Sequence, residues 1–306
     1  MSPLAQRCMI TVWRPFIRRE FLGWGKIYEK LVSPPQSGPY WEDAGTRTII
    51  GKRHNYIMEL DLSKWSERIA YFLRRWYDLP TQLLLEITLK DGDTVVDIGA
   101  NIGMFMLAAR ARIGDEGRVI AFEPNPLPRK KFERHVELND LKNITLYPYA
   151  LSDEAGEATL NFPKINTGEG SLSELAYKKE ETESINVLVK IGDDILADTT
   201  PRLVKIDVEG AELSVLRGLE KTIDRTRPLI VAEYIVEHLS RFGTSHSDLE
   251  KFARERQYSI YRLSTTRRGL GRVLTLTPFA TAIAQGVTTF DFLMIPDEDQ
   301  TLNTLL

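Results

Sequence analysis

Cysteine is nearly absent: Cys8 is alone, and there are only four histidines. One thiol cannot close an internal disulfide. No Cys/His cluster has metal-site spacing, so the pattern gives no metal ligand set, and metal dependence is left open. A reducing, cytoplasmic setting is the expectation. Long apolar runs are missing too. No stretch reaches the roughly 18 residues of a membrane-spanning helix, and the first residues lack the apolar core and cleavage site of a secretory signal. Charge of one sign is not in excess: 40 Lys and Arg stand against 43 Asp and Glu, a net −3. Nucleic acid is therefore not an expected partner. Internal repeats and low-complexity tracts are also absent.

What remains is an ordinary globular composition, 42% hydrophobic and 27% charged over 306 residues. That is enough for one large domain, or one domain with an added subdomain. Residues 1–78 read as a leader with a hairpin and helices. Arg7, Arg14, Arg18 and Arg19 all precede the first acid, Glu20, while Ile10, Trp13, Ile17, Phe21 and Trp24 keep helical spacing. Two readings stay open: a helix making weak peripheral contact with a membrane, and a short helix packing internally or against a second subunit in a homo-oligomer. Pro15, Gly23 and Gly25 are expected to interrupt any long helix. "SPPQSGP" (Ser33–Pro39) reads as a linker. Arg47–Leu62 reads as a hairpin turning at Lys52–Asn55. Ser63–Asp78 reads as an amphipathic helix with Trp65, Ile69, Leu73 and Trp76 on one face.

From residue 79 the period changes. Apolar runs at Thr94–Ile98, Arg118–Glu123, Ile144–Ala150, Leu203–Asp207, Pro228–Tyr234, Tyr258–Leu263 and Thr289–Ile295 read as strands. Helical patterns fall between them at Ile102–Ile113, Pro126–Asn139, Ala211–Arg225 and Ser247–Arg256. This alternation predicts an α/β domain over 79–306, a Rossmann-like, mostly parallel sheet with helices on both faces. No helix separates the last two strands, so that pair is expected to be antiparallel. Glu157–Phe162 and Ile185–Ile191 read as an inserted β segment at about 157–196.

"VVDIGANIGMF" (Val95–Phe105) sets a strand, a glycine turn and a helix in succession. That geometry aims a helix N-terminus at a ligand. Gly99 allows the tight turn and Gly103 a close approach. Asn101 occupies the place of the middle glycine in a dinucleotide loop, and the G-K-[ST] of a P-loop is missing. Asp97, at the end of the first strand, would repel phosphate and suits a cationic ligand. Glu123 ends the next strand, where an acid takes ribose hydroxyls. A ribose and a cationic amino acid without phosphate describe S-adenosylmethionine.

"VVDIGANIG", "VIAFEPNP", "LNDLKNITLYPYALSDEAGE" and "LVKIDVEGAELSVLRGL" together resemble the FkbM family of S-adenosylmethionine-dependent methyltransferases, over roughly residues 70–240. The resemblance implies a class I methyltransferase sheet of seven strands with the last antiparallel, and O-methylation of a hydroxyl on a saccharide or natural product. It further implies that Asp97, Gly99, Asn101 and Gly103 form the methionine-side loop and that Glu123 holds the ribose. Ala150, Leu151 and Asp153 would then lie by the adenine. Lys205, Asp207, Glu209 and Glu212 match "KIDVEGAE". Trp76–Asp78 departs from the aromatic–glutamate pair expected before the first helix.

Methyl transfer to an alcohol still needs a proton removed, by a base or with a metal's help. Asp207 ends the fourth strand, Glu233 ends the fifth, and His238 follows; these three are the candidate catalytic groups, with Glu209 and His246 behind them. Glu212 is expected to complement a helix N-terminus. Lys205 is expected to pair with an acid, His135 to be solvated, and His54 to have no role. "EGSLSE" (Glu169–Glu174) is open to a flexible-loop or a lid reading. "TTRRGLGR" (Thr265–Arg272) reads as a basic loop facing solvent or an acidic acceptor. Competing functions are an NAD-dependent oxidoreductase and a non-catalytic Rossmann-like scaffold.

Overall fold

The computed structural model describes residues 3–32, 41–163, 171–173, 182–269 and 271–302, with the backbone alone for 3–10. The side chains of Arg7, Cys8 and Ile10, and all of Ser33–Pro39, the flanks of the Glu169–Glu174 motif and Leu270, fall outside that description. The chain divides into two units, Met1–Tyr77 and Asp78–Leu306.

In the first unit a helix runs over Pro3–Arg18 and a second over Trp24–Leu31. Pro15 does not stop the first helix, contrary to expectation. The break runs from Arg19 to Gly23, with Glu20 left-handed at φ 52° and Gly23 at φ 86°, a value glycine adopts readily. Ile17 is buried with Tyr28, Val32, Trp41, Leu62, Phe72 and Leu73, whereas Val12, Trp13, Phe21 and Leu22 stay exposed. Strands β1 (Thr46–Ile50) and β2 (Ile57–Asp61) form the expected antiparallel hairpin. The next helix is shorter than its pattern, Trp65–Leu73, because Arg74 turns left-handed at φ 58°. Of the expected stripe Leu73 and Trp76 are buried, Ile69 is half-buried and Trp65 is exposed; Glu67, Arg68, Ala70 and Phe72 are buried beside them. His54 is not idle. Its buried ring lies where a Cβ on Gly51 would be, and its Nδ1 accepts from the Tyr56 amide at 3.1 Å.

Glu20 ties this unit together. Its carboxylate accepts from Arg75 Nε at 2.9 Å and Nη2 at 2.6 Å, and from Lys52 Nζ at 2.6 Å. Burial raises its pKa, but Arg75 and Lys52 outweigh burial and bring it from 4.5 down to about 2. A depressed folded-state pKa stabilises the fold above the unfolded value, and the effect fades as pH falls through the folded one. Glu20→Gln is therefore expected to cost about 2–3 kcal/mol at pH 7, a figure reduced for partial exposure. Urea unfolding should show the gap between wild type and variant narrowing below pH 4.5 and closing near pH 2.

The second unit is built on an eight-stranded sheet, one strand more than the seven expected. Its strands are β3 (Thr94–Ile98), β4 (Arg118–Phe122), β5 (Ile144–Tyr147), β9 (Leu203–Ile206), β10 (Leu229–Ile235), β11 (Tyr258–Arg268), β12 (Gly271–Pro278) and β13 (Thr289–Pro296). The order is β12-β11-β13-β10-β9-β3-β4-β5. Strands β10, β9, β3, β4 and β5 run parallel, and β13 lies antiparallel between β10 and β11. The extra strand is β12: β11 extends well past Leu263 and pairs back on it. Thr265–Arg268 and Gly271–Arg272 are thus strand ends of a hairpin rather than a loop.

Two further expectations are corrected by local chemistry. The strand expected over Ile144–Ala150 breaks at Pro148, which cannot donate to a ladder. Its second half, β6 (Tyr149–Ser152), leaves the main sheet to join β7 (Gly156–Pro163) and β8 (Thr182–Ile191) in a three-stranded sheet. Ala150, Leu160, Phe162, Val187 and Val189 form that sheet's own apolar cluster. The helix expected over Ala211–Arg225 divides into Glu212–Arg217 and Glu220–Thr226. Gly218 lies between them, and a Cβ there would sit 2.2 Å from the Ser152 carbonyl oxygen.

Both faces of the sheet are buried: one carries a cluster that includes Val96, Ile98, Phe122, Val204, Ile206, Ile230, Phe292 and Met294, and the other buries Val95, Val119, Leu203, Val231 and Leu293. Strand order reverses where β3 and β9 meet, and α/β sheets open a ligand crevice at that switch, beyond the strands' carboxyl ends.

Candidate active site

Asp97 is the penultimate residue of β3 and is fully buried. Neither of its carboxylate oxygens accepts a hydrogen bond among the described residues. Lys205, on the neighbouring β9, brings its Nζ to 3.4 Å from Asp97 and 3.1 Å from Asp207, and to 3.4 Å from the Gly99 carbonyl. The expected pairing of Lys205 is thus double. Burial raises the Asp97 pKa to about 6, with Lys205 opposing and Asp207 adding to the rise. Burial alone would depress Lys205, yet Asp207 and Asp97 outweigh it and hold the ammonium charged above its ordinary range.

The turn after β3 is closed on itself. The amides of Gly99 and Ala100 both donate to the Phe122 carbonyl at 3.0 Å, and the Gly103 amide donates to Ala100 at 2.9 Å. The Asn101 amide donates to Glu123 Oε2 at 2.7 Å. Those four N–H groups are engaged, so the loop does not offer them to a pyrophosphate. Gly99 has φ 77°, and a Cβ there would meet the Asp207 carbonyl oxygen at 1.9 Å. Gly103 has φ 84° and packs where a side chain would strike Phe132. Asn101 itself is left-handed, φ 49°, a conformation asparagine tolerates better than most residues. His135 is not solvated. It is fully buried, with Nδ1 2.7 Å from the Ile102 carbonyl, and it pins the loop to the helix Pro126–Leu138.

Glu123 follows β4 and is buried. Its Oε1 accepts from the Asn125 amide at 2.8 Å. Burial pushes its pKa up to about 7 against the pull of these two amide donors. Of the residues expected near an adenine, Ala150 belongs to the small sheet's cluster and Leu151 to the main core. Asp153 accepts from Ser152 Oγ at 3.0 Å. Asp78, the doubtful acid, caps the helix Leu79–Thr88 by accepting from the Thr81 amide at 3.1 Å.

The second half of the crevice is acidic. Asp207 is 38% exposed at the side chain. Glu209 turns left-handed at φ 57°. Its Oε2 stands 2.9 Å from His238 Nδ1, and Glu233 Oε2 stands 3.7 Å from the same nitrogen. The Glu209 and Glu233 carboxylates push the His238 pKa up to about 10 against burial. Burial raises Glu233 to about 8, with Asp207, Glu209 and Glu212 adding to the rise and His238 opposing it. Glu212 accepts from the Val208 and Gly210 amides at 3.3 and 3.1 Å, the capping role expected of it. Ser171 of the insertion donates to the Glu209 carbonyl at 3.2 Å, which brings that motif to the crevice edge. His246 is exposed at the start of the helix His246–Glu255.

One acid was missed. Asp291 lies on β13 in register with Glu233. Burial raises its pKa well above the usual range, with Asp78, Glu233 and Asp207 adding to the rise and Lys205 opposing it. The signal was an acid inside an otherwise apolar strand, "TTFDFLMIP".

The crevice thus sits at the switch point of a Rossmann-like, mostly parallel sheet, with a closed glycine loop, a buried carboxylate beside Lys205 and a strand-end glutamate. Residues 97–260 match the family model described as Methyltransferase FkbM domain, and the chain belongs to that family. It is 31% identical over 149 residues to Methyltransferase 1 of Beauveria bassiana, covering 42% of this chain and 59% of the relative. It is 32% identical over 156 residues to the hexuronic acid methyltransferase AglP of Haloferax volcanii, covering 49% and 59%. It is 32% identical over 168 residues to the 31-O-demethyl-FK506 methyltransferase FkbM of Streptomyces tacrolimicus, covering 44% and 62%. The chain thus spans about three fifths of the length of these relatives.

Gly99→Ala combines a left-handed backbone with a clash on Asp207 and is expected to lose at least about 4 kcal/mol of stability, read by thermal unfolding. Lys205→Gln removes the charge that holds Asp97 down. Carbon NMR titration of the Asp97 carboxyl should then show its midpoint moving above 6.

Proposed function

We propose that the protein is an S-adenosylmethionine-dependent O-methyltransferase acting on a hydroxyl of a saccharide or natural product. The observation that carries this is the fully buried Asp97 carboxylate, which accepts no aligned hydrogen bond and has only the Lys205 ammonium at 3.4 Å, shared with Asp207, to offset its charge; a second cationic group fits there. Asp97, the closed loop Gly99–Gly103 and Glu123 would hold the donor, with Asp153 at the adenine end. The donor, when bound, supplies a methyl group on a positively charged sulfur. The AglP and FkbM relatives, by name a hexuronic acid and a 31-O-demethyl-FK506 methyltransferase, support a hydroxyl-bearing acceptor.

The chain's own residues have three tasks. Asp97 and the acids around it present negative potential to a cation. The rigid loop fixes position, and well-oriented reactants gain up to about 7–11 kcal/mol. Asp207, the half-exposed acid at the end of β9, accepts the acceptor's proton. His238 is a poor base by comparison, because the neighbouring Glu209 carboxylate favours its protonated form.

Calorimetric titration with S-adenosylhomocysteine and, separately, with NAD tests the reading: binding of the first alone is expected, and binding of NAD alone would overturn it. Affinity for S-adenosylhomocysteine should rise with pH through about 6 as Asp97 ionises, so binding at pH 5 should be roughly 10-fold weaker than at pH 7. Asp97→Asn should flatten that profile at a lower affinity. Glu123→Ala should weaken binding by at least about 10-fold. Asp207→Asn should lower kcat by about 10²–10⁴-fold, and full turnover in that variant would remove Asp207 from the mechanism.

A further inference from the structure

Glu209, Glu233 and His238 meet from three separate elements. Glu209 sits in the turn after β9, Glu233 in β10, and His238 in the helix Val236–Arg241. One carboxylate oxygen from each glutamate and a ring nitrogen of His238 all lie within 4.8 Å of one another. These atoms meet as ions rather than through aligned hydrogen bonds, His238 Nδ1 standing 2.9 Å from Glu209 and 3.7 Å from Glu233, so a metal ion would take the place of the imidazole proton. Glu233 Oε2 and His238 Nδ1 are both shielded from solvent, and neither has a hydrogen-bond partner among the described residues. The 2.9 Å approach of Nδ1 to Glu209 lacks hydrogen-bond alignment. Two polar atoms without an aligned hydrogen bond sharing one small space are unusual, because buried polar atoms are nearly always paired. Lys205, the lysine of the crevice, is already engaged by Asp97 and Asp207.

The backbone fixes the trio. Glu209 is left-handed, and a Cβ on Gly210 would lie 2.4 Å from the His238 carbonyl oxygen. The turn therefore rests directly on the helix that carries the histidine, and the two ligand-bearing segments cannot drift apart independently.

We infer that Glu209, Glu233 and His238 form a binding site for a divalent first-row transition ion of the Mn²⁺ to Zn²⁺ series. Two carboxylate oxygens and an imidazole nitrogen are the ligands such ions accept, whereas Ca²⁺ prefers oxygen alone. Three protein ligands leave positions open for water or a substrate oxygen. A cation there would lower the pKa of a hydroxyl brought to it, with the proton passing to Asp207. That use rests on the methyl-transfer reading above; the binding itself does not.

The test is calorimetric titration of the purified full chain with Mn²⁺ and with Zn²⁺, without S-adenosylhomocysteine. One ion per chain is expected, weakened about 100-fold or more in Glu233→Gln and in His238→Gln. In the Mn²⁺ complex, ¹⁴N modulation in pulsed EPR should be present in wild type and lost in His238→Gln. Circular dichroism confirms that the variants fold, and S-adenosylhomocysteine binding is measured alongside. No stoichiometric binding to folded wild type, or equal affinity in the variants, overturns the site. S-adenosylhomocysteine binding without metal binding would sink the metal site and leave the methyltransferase reading standing; metal binding without S-adenosylhomocysteine binding would do the reverse.

Discussion

The buried ammonium of Lys205 is the constraint on which the crevice depends. It stands between Asp97 of β3 and Asp207 beyond β9, the two strand ends at which the sheet reverses its order. Without it the two carboxylates would face each other with burial already raising Asp97. Removing one partner of a buried ionic network leaves an uncompensated charge, which generally costs about 3–5 kcal/mol. Gly99 is the steric counterpart of the same arrangement, because only a residue without a Cβ lets the β3 turn pass the Asp207 carbonyl.

Charge around that lysine is lopsided. Asp78, Asp97, Asp207, Glu233 and Asp291 crowd the crevice; Lys205 opposes the rise at Asp78, Asp97 and Asp291, and His238 opposes it at Glu233. Several of these acids have pKa values raised by burial and by one another, so the protein alone keeps the region from its full negative charge. Perturbed carboxylates gathered in a cleft are a mark of functional sites. A crevice built this way gains when a cation enters, which is the physical link between the buried oxygens of Asp97 and a positively charged donor. The closed loop adds the complementary feature: with the amides of Gly99, Ala100, Asn101 and Gly103 engaged internally, it has no such donors ready for a phosphate.

Local pattern made much of this legible. Apolar runs marked β3, β4, β9, β10 and β13 within a residue or two, since buried parallel strands read as nearly continuous hydrophobic segments. Asp97, Glu123, Asp207 and Glu233 were readable because each ends or nearly ends such a run. Pattern failed where one residue overrode it. Pro148 split a strand, Gly218 split a helix, and Arg74 ended a helix early by turning left-handed. The histidines were misread for a related reason. A charged neighbourhood in sequence says little about the one face of the helix that carries His135 into the interior.

The sequence by itself determined the places of β3, β4, β9, β10 and β13, the glycines that permit the turn, and the acids at strand ends. Each of those follows from a residue and its immediate neighbours. Only the tertiary structure decided which acids meet. Asp291 reaches Glu233 through an antiparallel register, His238 meets Glu209 across a turn resting on another helix, and Lys205 joins two strands more than a hundred residues apart in sequence. Strand pairing and sheet twist set those distances, and neither is a property of any short stretch of chain.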